Sequence, residues 1–210
     1  MGVTPDGSPV EVYLRLPGDA EAGLVASVVP DGADILELGS GVGRVTHELV
    51  ARGYRVTAID ESAGMLDYVR GAEIVCARIE ELDLARTFDC VLLASHFVNA
   101  PAPGPFLAAA RRHVADDGLV LIEAYPPDLE WTVGPPKRMG DVELRLADLE
   151  LEGRLVHATM EYRIGESSWR QEFDAALRDE DELAEALAAE TLVFDRWVDR
   201  ERGWFVARPS

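Results

Sequence analysis

From Asp34 to Tyr125, short apolar runs alternate with helical patterns, and this alternation restricts the fold more than any other feature of the chain. The apolar runs are "ADILEL", "YRVTAID", "EIVCA", "FDCVLLAS" and "GLVLIEAY". Between them, "GRVTHELVARG", "SAGMLDYVRG" and "GPFLAAARRHVAD" read as helices, and in the first of these Val45, Leu49 and Val50 share one face. Upstream, "DAEAGLVASVV" reads as a helix capped by Asp19 and ended by Pro30. The strands are continuously apolar, as expected when helices cover both faces of a sheet. Strand and helix in strict alternation predict an α/β fold with a doubly wound parallel sheet.

After Tyr125 the pattern changes. "PPDLEWTVGPPKRMG" is rich in proline and glycine and reads as a loop or lid. Three segments then alternate with period two. "DVELRLADLELEG" slips near Ala147-Asp148, as a bulge would. "RLVHATMEYRIG" and "SSWRQEFDAAL" each carry one apolar and one polar face, and "EGR" and "GES" suit hairpin turns. "DEDELAEALAAE" is a helix with acids in its first turn, followed by strands "LVFDRWVD" and "GWFVARP". The antiparallel segment is thus expected as an insertion at 126–178, between the two parts of an α/β domain formed by 1–125 and 179–210.

Acidic residues outnumber basic ones by 39 to 20, giving a formal charge of −19. A field of that sign repels phosphate backbones and anionic lipid heads, so neither nucleic acid nor membrane is expected as a partner. The N-terminal "MGVTPDGSPV" has neither a basic region nor a long apolar run, and no segment approaches a membrane span, so a cytoplasmic protein is expected. Cys76 and Cys90 both sit in apolar runs and read as buried thiols. No Cys/His cluster suggests a metal site. His47, His113 and His157 fall on helix or strand patterns without a partner motif and read as structural.

The first strand runs into "LGSGVGR". A glycine-rich turn between strand and helix lets a ligand approach the backbone and the helix N-terminus. Gly39, Gly41 and Gly43 give G-x-G-x-G followed by Arg44, whereas the dinucleotide fingerprint needs G-x-G-x-x-G. The Gly-Lys-Ser/Thr of a phosphate-binding loop is absent as well, and an acid, Glu37, precedes the turn. These departures count against a diphosphate ligand.

With "ILELGSGVGRVTHEL", "VTAIDESAGML", "VCARIEELDL", "FDCVLLASHFVNA" and "RHVADDGLVLIEAY" in this order, the chain resembles the class I S-adenosylmethionine-dependent methyltransferases. The resemblance covers about Asp34 to Tyr125, and more loosely the closing helix and strand pair. It implies a seven-stranded Rossmann-like sheet with the antiparallel insertion covering the active site. It also implies S-adenosyl-L-methionine as cofactor and S-adenosyl-L-homocysteine as product. On these motifs Gly39, Ser40, Gly41 and Gly43 cradle the amino-acid end of the cofactor, and Glu37 orders the loop or meets the ammonium. Asp60, assisted by Glu61, accepts from the ribose hydroxyls, and Met65 and Ile79 flank adenine. Many relatives carry an aspartate for the adenine amino group where this chain has Arg78. Arginine has only donors, so Glu80 or a backbone carbonyl is expected to take that role. Arg78 either stacks on the ring or pairs with neighbouring acids.

Ligands of open α/β sheets sit beyond the carboxyl ends of the strands. This puts Ser95 beside the sulfonium and makes His96 the best candidate for a general base, with packing or capping as its alternative role. Tyr13, Asn99, Glu123, Tyr125 and Trp131 are candidate acceptor contacts. The function expected is methyl transfer to a small molecule, promoted mainly by proximity and orientation. A peptide acceptor, a cofactor-binding protein without catalysis and an NAD-dependent oxidoreductase are the alternatives.

Overall fold

The computed structural model of the chain describes residues 2–4 and 7–210. Two short helices come first, α1 (Val10–Tyr13) and α2 (Asp19–Val28). Then follow β1 (Asp34–Leu38), α3 (Arg44–Ala51), β2 (Arg55–Asp60), α4 (Ala63–Leu66), β3 (Glu73–Cys76), β4 (Phe88–Leu93), α5 (Gly104–His113) and β5 (Val114–Glu123). The remainder comprises β6 (Lys137–Met139), β7 (Val142–Glu152), β8 (Leu155–Ile164), β9 (Ser167–Ala176), α6 (Glu180–Ala189), β10 (Leu192–Asp199) and β11 (Trp204–Pro209).

Seven strands form one sheet in the order β3-β2-β1-β4-β5-β11-β10. The first five are parallel, and β11 runs antiparallel between β5 and β10. Leu38 pairs with both Ile59 and Leu93, so the carboxyl ends of β1, β2 and β4 finish level. Apolar strands meet helices on both faces. Leu36, Leu38, Val91 and Leu93 pack with Leu107 of α5 and Leu187 of α6. Ile35, Leu92 and Leu121 turn the other way, onto Val25 of α2 and Val45 and Leu49 of α3. Each such side chain is fully buried and stabilises the fold by roughly 1.5–3 kcal/mol relative to exposure.

The second sheet is antiparallel, in the order β6-β7-β8-β9, with a register shift between Leu146 and Asp148 at the expected bulge. Its apolar face packs Val142 and Tyr162 on Val12 of α1, and Val156, Ala158 and Ala175 on Tyr125 and Trp131. Its polar face carries Arg145–Glu161 at 2.5 Å and His157–Asp174 at 2.7 Å. Exposed pairs of this kind contribute little stability. Asn99 ties the two sheets together. Its Nδ2 donates to the Ala176 carbonyl at 2.9 Å, and its Oδ1 accepts the Tyr125 N–H at 2.8 Å.

Several local expectations are corrected. The segment "SAGMLDYVRG" is helical only over Ala63–Leu66. Tyr68 and Val69 N–H groups reach back three residues, and the Arg70 N–H donates to His47 Nε2 at 3.0 Å instead of continuing the helix. With one helical turn beside it, the edge strand β3 stays partly open, and Cys76 is exposed while Cys90 is buried. The loop after Tyr125 supplies a fourth strand, β6, to the antiparallel sheet. The "VAD" after His113 belongs to β5, not to the preceding helix. Gly18, not Asp19, stands at the N-cap of α2. Among the described residues, no helix is long and apolar enough to cross a membrane.

Candidate functional site

The level carboxyl ends of β1, β2 and β4 leave a cavity of about 300 Å³ above the glycine turn. Backbone geometry shapes its floor. Gly39, Gly41 and Gly43 adopt φ of 75°, 57° and 81°, the left-handed region that glycine reaches without steric cost. Gly39 and Ser40 N–H groups both donate to the Ile59 carbonyl, at 2.9 and 2.8 Å. A Cβ on Gly39 would stand 2.6 Å from the Phe97 ring, whereas one on Gly41 would meet open space. The turn therefore packs on Phe97 at its start and faces the cavity at its middle.

Two acids hold the turn from below and from the side. Glu37 is buried and its Oε2 accepts from Thr46 Oγ1 of α3 at 2.5 Å. Burial pushes its pKa up to about 7, against the opposing hydrogen bond from Thr46. Asp60 accepts the Gly41 N–H at Oδ2 and the Ser62 N–H at Oδ1, both at 2.8 Å. Ser62 in turn caps α4, its Oγ accepting from the Met65 N–H at 3.3 Å. Arg44, which occupies the place of a third dinucleotide glycine, turns away to the Pro17 carbonyl and Glu21 Oε1, each at 2.8 Å.

The cavity wall brings together Glu37, Gly39, Ser40, Gly41, Asp60, Glu61, Met65, Arg78, Ile79, Glu80 and Ser95 of the expected cofactor set, with Tyr13 of the expected acceptor set. Gly43 lies one step outside, against Val69 and His47. Arg78 is more than half exposed. Its Nη2 bonds Glu80 Oε1 at 2.9 Å, and its Nη1 lies 3.7 Å from Glu61 Oε2. Pairing with neighbouring acids is thus its role here. Thr4, Ser8, Ser62, Phe97 and Phe106 also line the wall. Thr4, Ser8, Phe97 and Phe106 reach the cavity through contacts that no local pattern records.

His96, Glu123, Tyr125 and Trp131 form a separate group beside Ser95. Ser95 and His96 both have φ 58°, an uncommon pair of left-handed non-glycine residues directly after β4. Such residues each cost on the order of 1–3 kcal/mol and concentrate at functional sites. Glu123, at the end of β5, accepts the Ser95 N–H at Oε2, 2.7 Å away, while its Oε1 lies 3.9 Å from His96 Nε2. The His96 ring stacks on Tyr125 with centroids 4.0 Å apart, and Trp131 meets Tyr125 edge-on at 4.7 Å. Burial lowers the His96 pKa, partly offset by the Glu123 charge. Burial, and then the Glu123 charge, raises that of Tyr125. Asn99 does not join this group. It is 1% exposed, and both ends of its amide are engaged by backbone, so its expected contact with an acceptor is replaced by the tie between the sheets.

One polar atom of the cradle remains without a partner. Ser40 Oγ is buried and makes no hydrogen bond among the described residues. A buried hydroxyl left unsatisfied costs roughly 1–3 kcal/mol, so the cavity floor is suited to a ligand with a polar end. The amino-acid end of S-adenosylmethionine meets that requirement, next to open backbone at Gly41 and a carboxylate at Asp60.

Residues 36–122 match the family model described as a methyltransferase domain. Among curated proteins, the chain is similar to malonyl-[acyl-carrier protein] O-methyltransferase of Acetivibrio thermocellus. The match is 38% identical over 72 residues, covering 30% of this chain and 25% of that protein. It is also similar to ribosomal RNA small subunit methyltransferase A of Anaeromyxobacter sp. (strain K), at 40% over 73 residues, covering 35% of this chain and 25% of that protein. Each match therefore spans a quarter of the curated relative's length. Among solved structures, the fold is similar to SAM-bound CalS10, an amino pentose methyltransferase from Micromonospora echinaspora. The TM-score is 0.73 at 21% identity, with 95% of this chain and 96% of that chain covered.

Proposed function

We propose that this member of the class I S-adenosylmethionine-dependent methyltransferase family moves a methyl group from S-adenosylmethionine to a small-molecule acceptor. The observation that carries the reading is the glycine cradle, with the unpartnered Ser40 hydroxyl on its floor and Asp60 at its edge. When bound, the cofactor supplies a methyl group already activated on a sulfonium. The protein's part is then mainly position and alignment. Ser40 and the backbone of Gly39 to Gly43 take the amino-acid end. Asp60, with Glu61 beside it, receives the ribose, while Met65 and Ile79 flank the adenine. Arg78 and Glu80 stand together at that end of the cavity, with Glu80 accepting from the adenine amino group. Ser95 borders the reacting carbon.

The acceptor is expected beyond Ser95, where His96, Glu123, Tyr125 and Trp131 stand together, with Tyr13 on the cavity wall that Ser95 also lines. Residues 1–125 and 179–210 serve as the cofactor domain, and 126–178 as its cover, which excludes water from the transfer. A small acceptor is favoured by the similarity to an amino pentose methyltransferase. Nucleic acid, the substrate named for one curated relative, is disfavoured by the net charge of −19. The test is release of S-adenosylhomocysteine from purified protein offered small amines, alcohols and acids, then peptides, then ribosomal RNA. Turnover confined to peptides or RNA contradicts the small-molecule reading.

A further inference from the structure

The group beside Ser95 has a chemistry of its own. Glu123 presents a carboxylate whose Oε1 is too far from His96 Nε2, at 3.9 Å, for a hydrogen bond. His96 Nε2 has no closer polar partner among the described residues, and its ring lies flat on Tyr125. Trp131 and Phe173 continue the aromatic wall, with ring centroids 6.2 Å apart. The strained Ser95-His96 backbone fixes this arrangement at the end of β4. A carboxylate and an imidazole nitrogen facing one another across a gap attract a cation and repel an anion. The chain as a whole does the same, with 39 acidic residues against 20 basic ones.

We infer that the methyl acceptor is an amine that arrives protonated, its ammonium received between Glu123 Oε1 and His96 Nε2. The inference rests on the methyl-transfer reading above. Glu123 draws the ammonium in, and Tyr125 holds the His96 ring in place by stacking on it. His96 Nε2 accepts one ammonium proton, which exposes the nitrogen lone pair. That pair forms the new N–C bond as the C–S bond breaks with its electrons retained on sulfur. The positive charge of the sulfonium ends on the methylated nitrogen, and the His96 proton passes to solvent. An alcohol acceptor has no charge for Glu123 to hold, and a carboxylate or phosphate acceptor meets repulsion.

Calorimetric titration at pH 7 tests this with two isosteric pairs, benzylamine with benzyl alcohol and cyclohexylamine with cyclohexanol. Each is added to the protein alone and to the protein saturated with S-adenosylhomocysteine. The wild type is expected to bind each amine at least about tenfold more tightly than its alcohol. Glu123→Gln keeps an acceptor for the Ser95 N–H but loses the charge, and should erase the preference. Circular dichroism establishes that this variant is folded. Equal affinity for amine and alcohol, a preference that survives in Glu123→Gln, or no amine binding at millimolar concentration while S-adenosylhomocysteine binds, each overturns the inference. Failure of S-adenosylhomocysteine itself to bind contradicts the underlying methyl-transfer reading instead.

Discussion

The Gly41 N–H lies 2.8 Å from Asp60 Oδ2, so the turn after β1 is fastened to the carboxylate that ends β2. Two segments nineteen residues apart thus share one hydrogen bond at the cavity edge. The Ser62 N–H, held by the other oxygen, extends the link to α4. Asp60→Ala removes both bonds together with the carboxylate proposed to receive the ribose. The cofactor Kd is expected to rise by roughly 5- to 150-fold, equivalent to about 1–3 kcal/mol. Asp60→Asn, which keeps one acceptor oxygen, should fall between this variant and the wild type. Unchanged affinity for S-adenosylhomocysteine in both variants contradicts the role given to Asp60.

Glu37 sets a pH dependence of stability. Its pKa stands at about 7 in the folded chain, against an ordinary value of 4.5. Between those values the folded state holds a proton that the unfolded state has lost, so stability falls as pH rises from about 4.5 to about 7. Glu37→Gln carries no titrating proton and can still accept from Thr46. Its unfolding free energy, measured by urea denaturation, should be flatter across this window than that of the wild type. At pH 8 the variant should gain up to roughly 3 kcal/mol relative to its standing at pH 4. Parallel pH curves for the two proteins would contradict the assignment.

Gly39→Ala combines two costs. Its φ of 75° disfavours any side chain, and its Cβ would lie 2.6 Å from Phe97 Cε2. The variant is expected to lose about 1–3 kcal/mol of stability and to bind cofactor poorly. Phe97→Ala in the same chain removes the clash but not the backbone strain. A double-mutant cycle should therefore show partial rescue, and strict additivity would mean that the ring does not press on the turn.

Asn99→Ala tests the tie between the sheets. It orphans the Ala176 carbonyl and the Tyr125 N–H, both engaged by Asn99 in a buried setting. Loss of roughly 2–4 kcal/mol is expected from two unsatisfied groups. Hydrogen exchange should accelerate at Tyr125 and along β9. Uniform acceleration over the whole chain would point to general destabilisation without a localised tie.

The sequence made the central sheet legible because its signals are local. Continuous apolar runs such as "CVLLA", bounded by helices, mark buried strands, and the Ala147-Asp148 slip marked the bulge. The short helix at Ala63–Leu66 was not legible, since its end depends on His47, a residue 23 positions from Arg70. The exposure of Cys76 follows from the same shortfall of helix beside an edge strand. In the cavity, the glycine turn, Asp60 and Ile79 stood out through motif order. Thr4, Ser8 and Phe106 did not, because only tertiary packing brings them to the wall. Asn99 shows the opposite error. A polar residue after β4 suggested substrate contact, but its amide satisfies backbone groups of a distant strand and of the β5 exit.

The most direct test of the central claim is isothermal titration of the intact chain with S-adenosylmethionine, S-adenosylhomocysteine and NADH, beside Asp60→Ala. Saturable one-to-one binding of the first two ligands, weakened in Asp60→Ala, with no binding of NADH, is the predicted result. Binding of NADH without binding of S-adenosylmethionine would contradict the account.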